Sequence, residues 1–94
     1  MNKKNGEIEV TVHYPAAERP FRDDVERTET VGQFKPQVLT AFGLVEGQTP
    51  DGNIIAYTLY HQKTPLDNVN QTLGEVAGEH KVLQLKLAQQ ITQG

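Results

Sequence analysis

The 94-residue chain contains neither cysteine nor serine. Without cysteine it has no disulfide, no thiolate nucleophile and no cysteine metal site. Threonine is then the only remaining residue of the usual hydroxyl and thiol nucleophiles, and no threonine stands at the amino terminus, where its own amine could act as the base. These absences disfavour an ordinary hydrolase.

Basic clusters and long apolar runs are missing as well. The formal net charge is −3 and no stripe of Lys and Arg is present, so we expect no nucleic-acid partner. The polar start, Met1 to Gly6, lacks the apolar stretch of a signal peptide or membrane span, which predicts a cytoplasmic protein without a membrane partner. With 36% hydrophobic and 22% charged residues, the composition is typical of one folded domain.

Alternating apolar residues predict four strands. In the last of them Leu83, Leu85 and Leu87 face the core, while Gln84 and Lys86 face outward. The same alternation in the second strand points Asp23 inward, so we expect a bulge or a strand end there. The four predicted strands span residues 7–14, 21–27, 54–61 and 82–87.

A helix is predicted between the second and third strands. Thr30 and Gln33 have the spacing of a capping box, and Gly43 supplies a C-terminal cap. Apolar residues recur at helical spacing from Val31 to Phe42. Pro36 is expected to bend this helix or to loosen its first turn. A short turn or one-turn helix is expected at 72–76.

The predicted order of elements is strand, strand, helix, strand, short turn, strand. A hairpin followed by a helix and another strand requires a crossover, which favours one helix packed across a mixed sheet of four to five strands. This is the α+β arrangement called a β-grasp. We predict a flexible segment at 1–6, a folded domain at 7–87 and a flexible tail at 88–94.

Several segments of the chain resemble ubiquitin, in the same order and at similar intervals. Together they cover residues 7–94 and indicate a ubiquitin-like β-grasp fold. The segment Ile8-Glu9-Val10-Thr11-Val12 resembles the first strand of ubiquitin, and Glu29 to Lys35 resembles the entry to its helix. Leu59 to Asp67 resembles the strand and turn that carry its recognition surface. Thr72-Leu73-Gly74-Glu75-Val76 resembles its short turn, and Val82 to Leu87 resembles its last strand.

The resemblance implies a protein modifier without catalytic activity or cofactor. In conjugated relatives, an activating enzyme uses ATP to adenylate the terminal carboxylate, and a conjugating enzyme passes the chain to a lysine. Here that carboxylate belongs to Gly94, either as encoded or after a processing protease has cut. In character the chain resembles ubiquitin-like proteins of bacterial operons that encode their own activating and conjugating enzymes, and we expect a monomer.

Two alternatives to the modifier hypothesis stay open. A non-conjugated ubiquitin-like module would bind partners through its sheet and would tolerate loss of Gly94. Sulfur carriers of the same fold typically end in a Gly pair, whereas here a single Gly follows Gln-Ile-Thr-Gln, so that function is disfavoured. The tail also lacks the arginines of ubiquitin, which implies a different activating enzyme.

The recognition surface departs from ubiquitin too. The positions that correspond to its apolar patch are Tyr60, Gln84 and Lys86, so one aromatic anchor remains in polar surroundings. We therefore expect dedicated partners rather than the readers of ubiquitin. If the modifier forms chains, Lys3 and Lys4 are the expected acceptors because they precede the first strand.

The remaining polar groups indicate surface rather than chemistry. His13, His61 and His80 are scattered, and none has a second ligand at metal-binding spacing within its element, so we expect surface histidines and no metal site. The acidic run at 23–29 is expected to be a solvated strand end.

Overall fold

A computed structural model describes residues 6–93 of the chain. Within this range the sheet has the strand order β2-β1-β6-β4-β3, with β5 paired to β4. The predicted α+β fold, a mixed sheet with a helix packed across it, is confirmed. The elements are β1 (Glu7–His13), β2 (Phe21–Glu26), α1 (Val31–Phe42), β3 (Gly47–Gln48), β4 (Asn53–His61), β5 (Thr64–Pro65), α2 (Leu73–Ala77) and β6 (Val82–Gln93).

The chain order and the spatial order of the strands differ, as the crossover requires. β1 and β2 form an antiparallel hairpin, β6 inserts parallel to β1, and β4 pairs antiparallel with β6 on its other side. The register joins Val10 to Leu83 and Val12 to Leu85. The inward side chains of the two central strands therefore lie side by side beneath the helix.

Helix α1 begins and ends where its capping residues predict. The Thr30 hydroxyl accepts from the Gln33 N–H at 3.2 Å, and the Gln33 side chain accepts from the Thr30 N–H at 3.1 Å, which completes the capping box. Gly43 closes the helix with φ of 72°, a left-handed conformation that favours glycine. Pro36 lies inside the helix without interrupting it.

One core cluster joins the helix to the sheet. Phe34 and Val38 of α1 are fully buried, as are Val10 and Val12 of β1. Leu73 of the short helix α2 belongs to the same cluster. The predicted packing of the helix across the sheet is confirmed, because side chains of α1, β1 and β6 occupy the same cluster.

The second strand differs from its prediction at Asp23. No bulge occurs: β2 pairs residue for residue with β1, and Asp23 lies opposite Val10 in an unbroken register. Asp23 remains exposed on the edge strand β2. The carboxylate is therefore hydrated on the helix side of the sheet without any break in the strand.

The predicted flexible tail at 88–94 is corrected by the structure as far as residue 93. β6 does not end at Leu87 but continues to Gln93, and its residues 88–93 pair with residues 53–58 of β4. The alternation of apolar residues stops after Leu87, although the backbone pairing does not. We call these two paired segments the arm. Gly94, Lys3 and Lys4 lie outside the described residues, as does most of the predicted flexible segment at 1–6.

Candidate functional site

The face of the sheet opposite α1 carries the predicted recognition residues. Successive side chains of a strand point to opposite faces, and the helix side of β6 is marked by its buried leucines. Gln84 and Lys86 therefore lie on the other side, which we call the outer face. Tyr60 of β4 is the register partner of Lys86 and shares that face. The structure thus brings Tyr60, Gln84 and Lys86 together on two neighbouring strands.

His13 joins these residues from the third strand. It is the register partner of Lys86 on the β1 side, and its Nε2 lies 2.9 Å from Oε1 of Gln84. His13, Lys86 and Tyr60 therefore form one row across β1, β6 and β4. The sequence predicted only that His13 is a surface histidine. Its outward position followed from the alternation, but its neighbours depend on the parallel register of β1 and β6.

The outer face is mostly polar on the side of this row away from the arm. Thr11 of β1 lies opposite Gln84 and Arg22 and is buried despite its hydroxyl. Towards the hairpin edge, Glu9 and Asp24 form a register pair that adds negative charge. Tyr60 is thus an aromatic ring set among charged and amide side chains. Such a surface suits docking of a protein partner by one ring and its surrounding hydrogen bonds.

The arm extends away from the core next to the outer face. Residues 89–93 of β6 are all exposed, whereas Leu87 is fully buried. On the helix side Gln89 donates from Nε2 to the Tyr57 hydroxyl at 3.1 Å. On the outer face the Thr58 hydroxyl lies 2.8 Å from Oε1 of Gln90. Backbone pairing and these side-chain contacts hold the last described residues against β4.

Glu46 fixes the base of the arm. Its Oε2 accepts from the Tyr57 N–H at 2.7 Å and lies 3.0 Å from Nζ of Lys35 on α1. Partial burial raises the pKa of Glu46, but the Tyr57 N–H and the Lys35 ammonium offset this and bring the pKa below its ordinary value. The ionised carboxylate therefore ties the loop before β3 to both β4 and the helix.

Residues 6–93 contain no group of three or more His, Asp or Glu side chains that could hold a metal ion. In the same range no helix is long and apolar enough to cross a membrane.

Comparison with known proteins relates the chain to solved structures. No protein-family model and no curated protein matches it. It is similar to the ubiquitin-like domain of an Arabidopsis thaliana protein, with 26% identity and a TM-score of 0.62 over 87% of this chain and 76% of that chain. It is also similar to the ubiquitin of Caldiarchaeum subterraneum, with 18% identity and a TM-score of 0.67 over 95% of this chain and 100% of that chain.

A third solved structure has the same fold over nearly the whole length. The UBL domain of yeast Ddi1 is 13% identical, with a TM-score of 0.68 over 99% of this chain and 100% of that domain. These neighbours include a ubiquitin as well as ubiquitin-like domains, so they establish the fold and not the function. Together with the element order, the mixed sheet and the capped helix, they show that the chain has the ubiquitin-like β-grasp fold.

Proposed function

We propose that this chain is a ubiquitin-like protein modifier, joined to target amines through the carboxylate of Gly94. The observation that carries the proposal is the course of β6, which leaves the core at Leu87 and continues to Gln93 through residues that are exposed from Gln89 onward. Six residues of strand extend about 20 Å. The residue before Gly94 is thereby presented away from the packed domain, within reach of another protein.

The chemistry of this proposal belongs to partner enzymes. An activating enzyme joins the Gly94 carboxylate to the phosphate of AMP and releases pyrophosphate from ATP. A cysteine thiolate of that enzyme then displaces AMP to form a thioester, and a conjugating enzyme passes the acyl group to a lysine amine. The chain itself has no cysteine or serine that could take part. We propose a cytoplasmic location for this reaction, where ATP is available.

The outer face is the proposed docking surface for these enzymes. Tyr60 supplies the anchoring ring, while Gln84, Lys86 and His13 supply hydrogen bonds and charge around it. The proposed partners are an activating enzyme and a conjugating enzyme encoded with the modifier, as in bacterial operons of this type, and a processing protease where Gly94 must first be exposed. Lys3 and Lys4 are the proposed acceptors in any chains.

The experiment incubates the protein with ATP and the activating-enzyme candidate encoded beside it. Intact-mass analysis should detect an adenylate or an enzyme thioester with the wild-type protein. Deletion of Gly94, or the substitution Gly94→Asp, should abolish both products, while circular dichroism and thermal unfolding stay unchanged because the core cluster is formed by residues between Ile8 and Leu87. A catalytically active cognate enzyme that gives neither product with the wild-type protein would refute the modifier proposal.

The pairing of residues 88–93 with β4 favours one alternative, a ubiquitin-like interaction module that is not conjugated. In such a module the arm would remain a fixed part of the domain. Partner binding would then survive deletion of Gly94 but would be weakened by Tyr60→Ala on the outer face. Comparing these two variants in the same binding assay distinguishes the module from the modifier.

A further inference from the structure

Three edges of the sheet carry features that discourage pairing with another chain. The edge strand β2 carries charged side chains at four of its positions, Arg22, Asp23, Asp24 and Glu26. β3 and β5 are only two residues long, and β5 includes Pro65, which has no N–H to donate. Charge, short length and proline are the usual means by which natural sheets avoid adding a strand.

A fourth edge has none of these features. β1 pairs with β6 only between Val82 and Lys86. Beyond that point β6 has β4 on one side and, within the described part of the chain, no strand on the other. The edge sequence from 88 to 93 is Ala-Gln-Gln-Ile-Thr-Gln, without charge, proline or glycine. We call this the open edge.

The hydrogen-bonding groups of the open edge can be assigned from the register. On β4 the Tyr57 N–H bonds to Glu46 at 2.7 Å and the Leu59 C=O accepts from Leu66 at 2.8 Å, so these residues direct their backbone groups away from β6. When one of two directly opposed residues in an antiparallel pair directs its backbone groups away from the other strand, its partner does the same. Gln89, the register partner of Tyr57, therefore directs its N–H and C=O to the open edge.

Every second residue of β6 directs its backbone N–H and C=O to the same side. At the start of the strand the C=O of Lys81 accepts from the N–H of Glu9 on β1, at 2.9 Å. Lys81, Gln89, Ile91 and Gln93 are all odd-numbered positions, so they point to the same side. The open edge therefore continues, past the end of β1, the ladder with which β1 already pairs.

On the helix side of this continuation, Ile91 is the apolar side chain of the edge, between Gln89 and Gln93. Ile91 lies opposite Ile55 and is 59% exposed. At the base, the ring of Tyr14, which follows β1, lies 5.5 Å from that of Phe42 and 6.2 Å from that of Tyr57, between ring centroids. An added strand would thus place apolar side chains beside Ile91 and, at the base, beside the aromatic rings.

We propose that the open edge binds an extended segment of a partner protein as an additional strand, with apolar residues at every second position. β1 shows the pattern that β6 accepts as a neighbour, since Val10 and Val12 alternate with polar residues along it. A second copy of this chain fits less well. Its own edge would present Gln89, Ile91 and Gln93 on the helix side, a single apolar residue between two amides.

The test uses a capped peptide with the sequence of residues 8–14, Ile-Glu-Val-Thr-Val-His-Tyr. Titrated into the labelled protein, it should shift the NMR amide signals of residues 88–93 and slow hydrogen exchange at Gln89 and Ile91. A peptide methylated on alternate backbone nitrogens should not bind, because it keeps the side chains and loses the donors. Binding should persist after deletion of Gly94, so this result is independent of conjugation.

Matched charge substitutions test the face that is used. Ile91→Lys should weaken peptide binding by about tenfold or more. Thr92→Lys places the same charge one residue away, on the outer face of the sheet, and should change binding by less than about twofold. Absence of binding, or shifts confined to Tyr60 and Lys86, would overturn the proposal. A dimer of the free protein with Gln89 and Ile91 already protected would also overturn it and would assign the edge to a second copy.

Discussion

Glu29 and Glu46 show how position changes the behaviour of one residue type. Burial raises the pKa of Glu29, and the neighbouring carboxylates Asp23 and Glu26 raise it further, against a weaker opposing effect of the Gln37 amide. Glu46 is also partly buried, but hydrogen bonds from Tyr57 and Lys35 bring its pKa below the ordinary value. The ionised form is thus disfavoured by the fold at Glu29 and favoured at Glu46.

At the residue scale we predict that Glu29→Gln stabilises the protein at pH 7. A raised pKa means that the folded state binds the proton more tightly, so the contribution of Glu29 is fully favourable below its ordinary pKa of 4.5 and is lost as pH rises through the raised value. The substitution should add about 0.2 to 1 kcal/mol at pH 7, the range of partly exposed charge interactions. Urea unfolding across pH measures this.

The control for Glu29→Gln is Glu18→Gln in the exposed turn between β1 and β2, which should leave stability nearly unchanged at pH 7. The gain from Glu29→Gln should disappear below pH 4.5, where the native carboxyl is itself protonated. A gain of equal size at low and neutral pH would contradict an electrostatic origin.

At the scale of elements, β6 has two halves with different surroundings. From Val82 to Lys86 it pairs with β1, and the odd-numbered side chains of this half fill the core. Past Lys86 it pairs with β4 alone, and it is exposed from residue 89 onward. The first half therefore determines the stability of the domain, and the second half is available to partners.

This division predicts a large effect of Leu85→Ala and a small one of Lys86→Ala. Leu85 is 2% exposed, and its truncation should cost about 2 to 5 kcal/mol through lost burial and the cavity left behind. Lys86 points to the outer face, so its truncation should change stability by about 0.5 kcal/mol or less. Chemical unfolding followed by circular dichroism measures both, and a near-neutral Leu85→Ala would contradict the central position of β6.

At the scale of the whole molecule, the arm makes the domain elongated. Its principal extents are 48 × 27 × 21 Å. Conjugation at Gly94 would require the end of β6 to enter an enzyme channel, whereas the structure pairs it with β4 as far as Gln93. We therefore expect release of the end of β6 to precede activation. Loss of a few exposed backbone pairs is a local opening that the core need not follow.

A disulfide across the arm tests this order of events. Ile54 and Thr92 are register partners on the outer face, and directly opposed residues of antiparallel strands lie within disulfide reach. Oxidised Ile54→Cys/Thr92→Cys protein should be activated much more slowly than wild type, and a reductant should restore the rate. The chain has no other cysteine, so mispairing within it is excluded.

The single variant Thr92→Cys, kept monomeric under the same oxidant by blocking its thiol, is the control for the disulfide. It should be activated at the wild-type rate. If the oxidised double variant were activated as fast as wild type, release of the arm would not be required, although conjugation at Gly94 would still stand.

Local signals in the sequence determined most of the elements. Thr30 with Gln33, and Gly43, mark the ends of α1 because caps depend on neighbouring residues alone. Alternation along β1 and the first half of β6 determined which side chains are buried, since that pattern has the period of a strand. The resemblance of five segments to ubiquitin then indicated the fold.

Tertiary structure alone decided the second half of β6 and the neighbours on the outer face. Residues 88–93 have no apolar alternation to reveal a strand, and they form one because β4 lies alongside with its own backbone groups to satisfy. His13 meets Gln84 only through the parallel register of strands that are far apart in sequence. Sequence patterns report which side chains are buried, whereas register and open edges arise from pairing between distant segments.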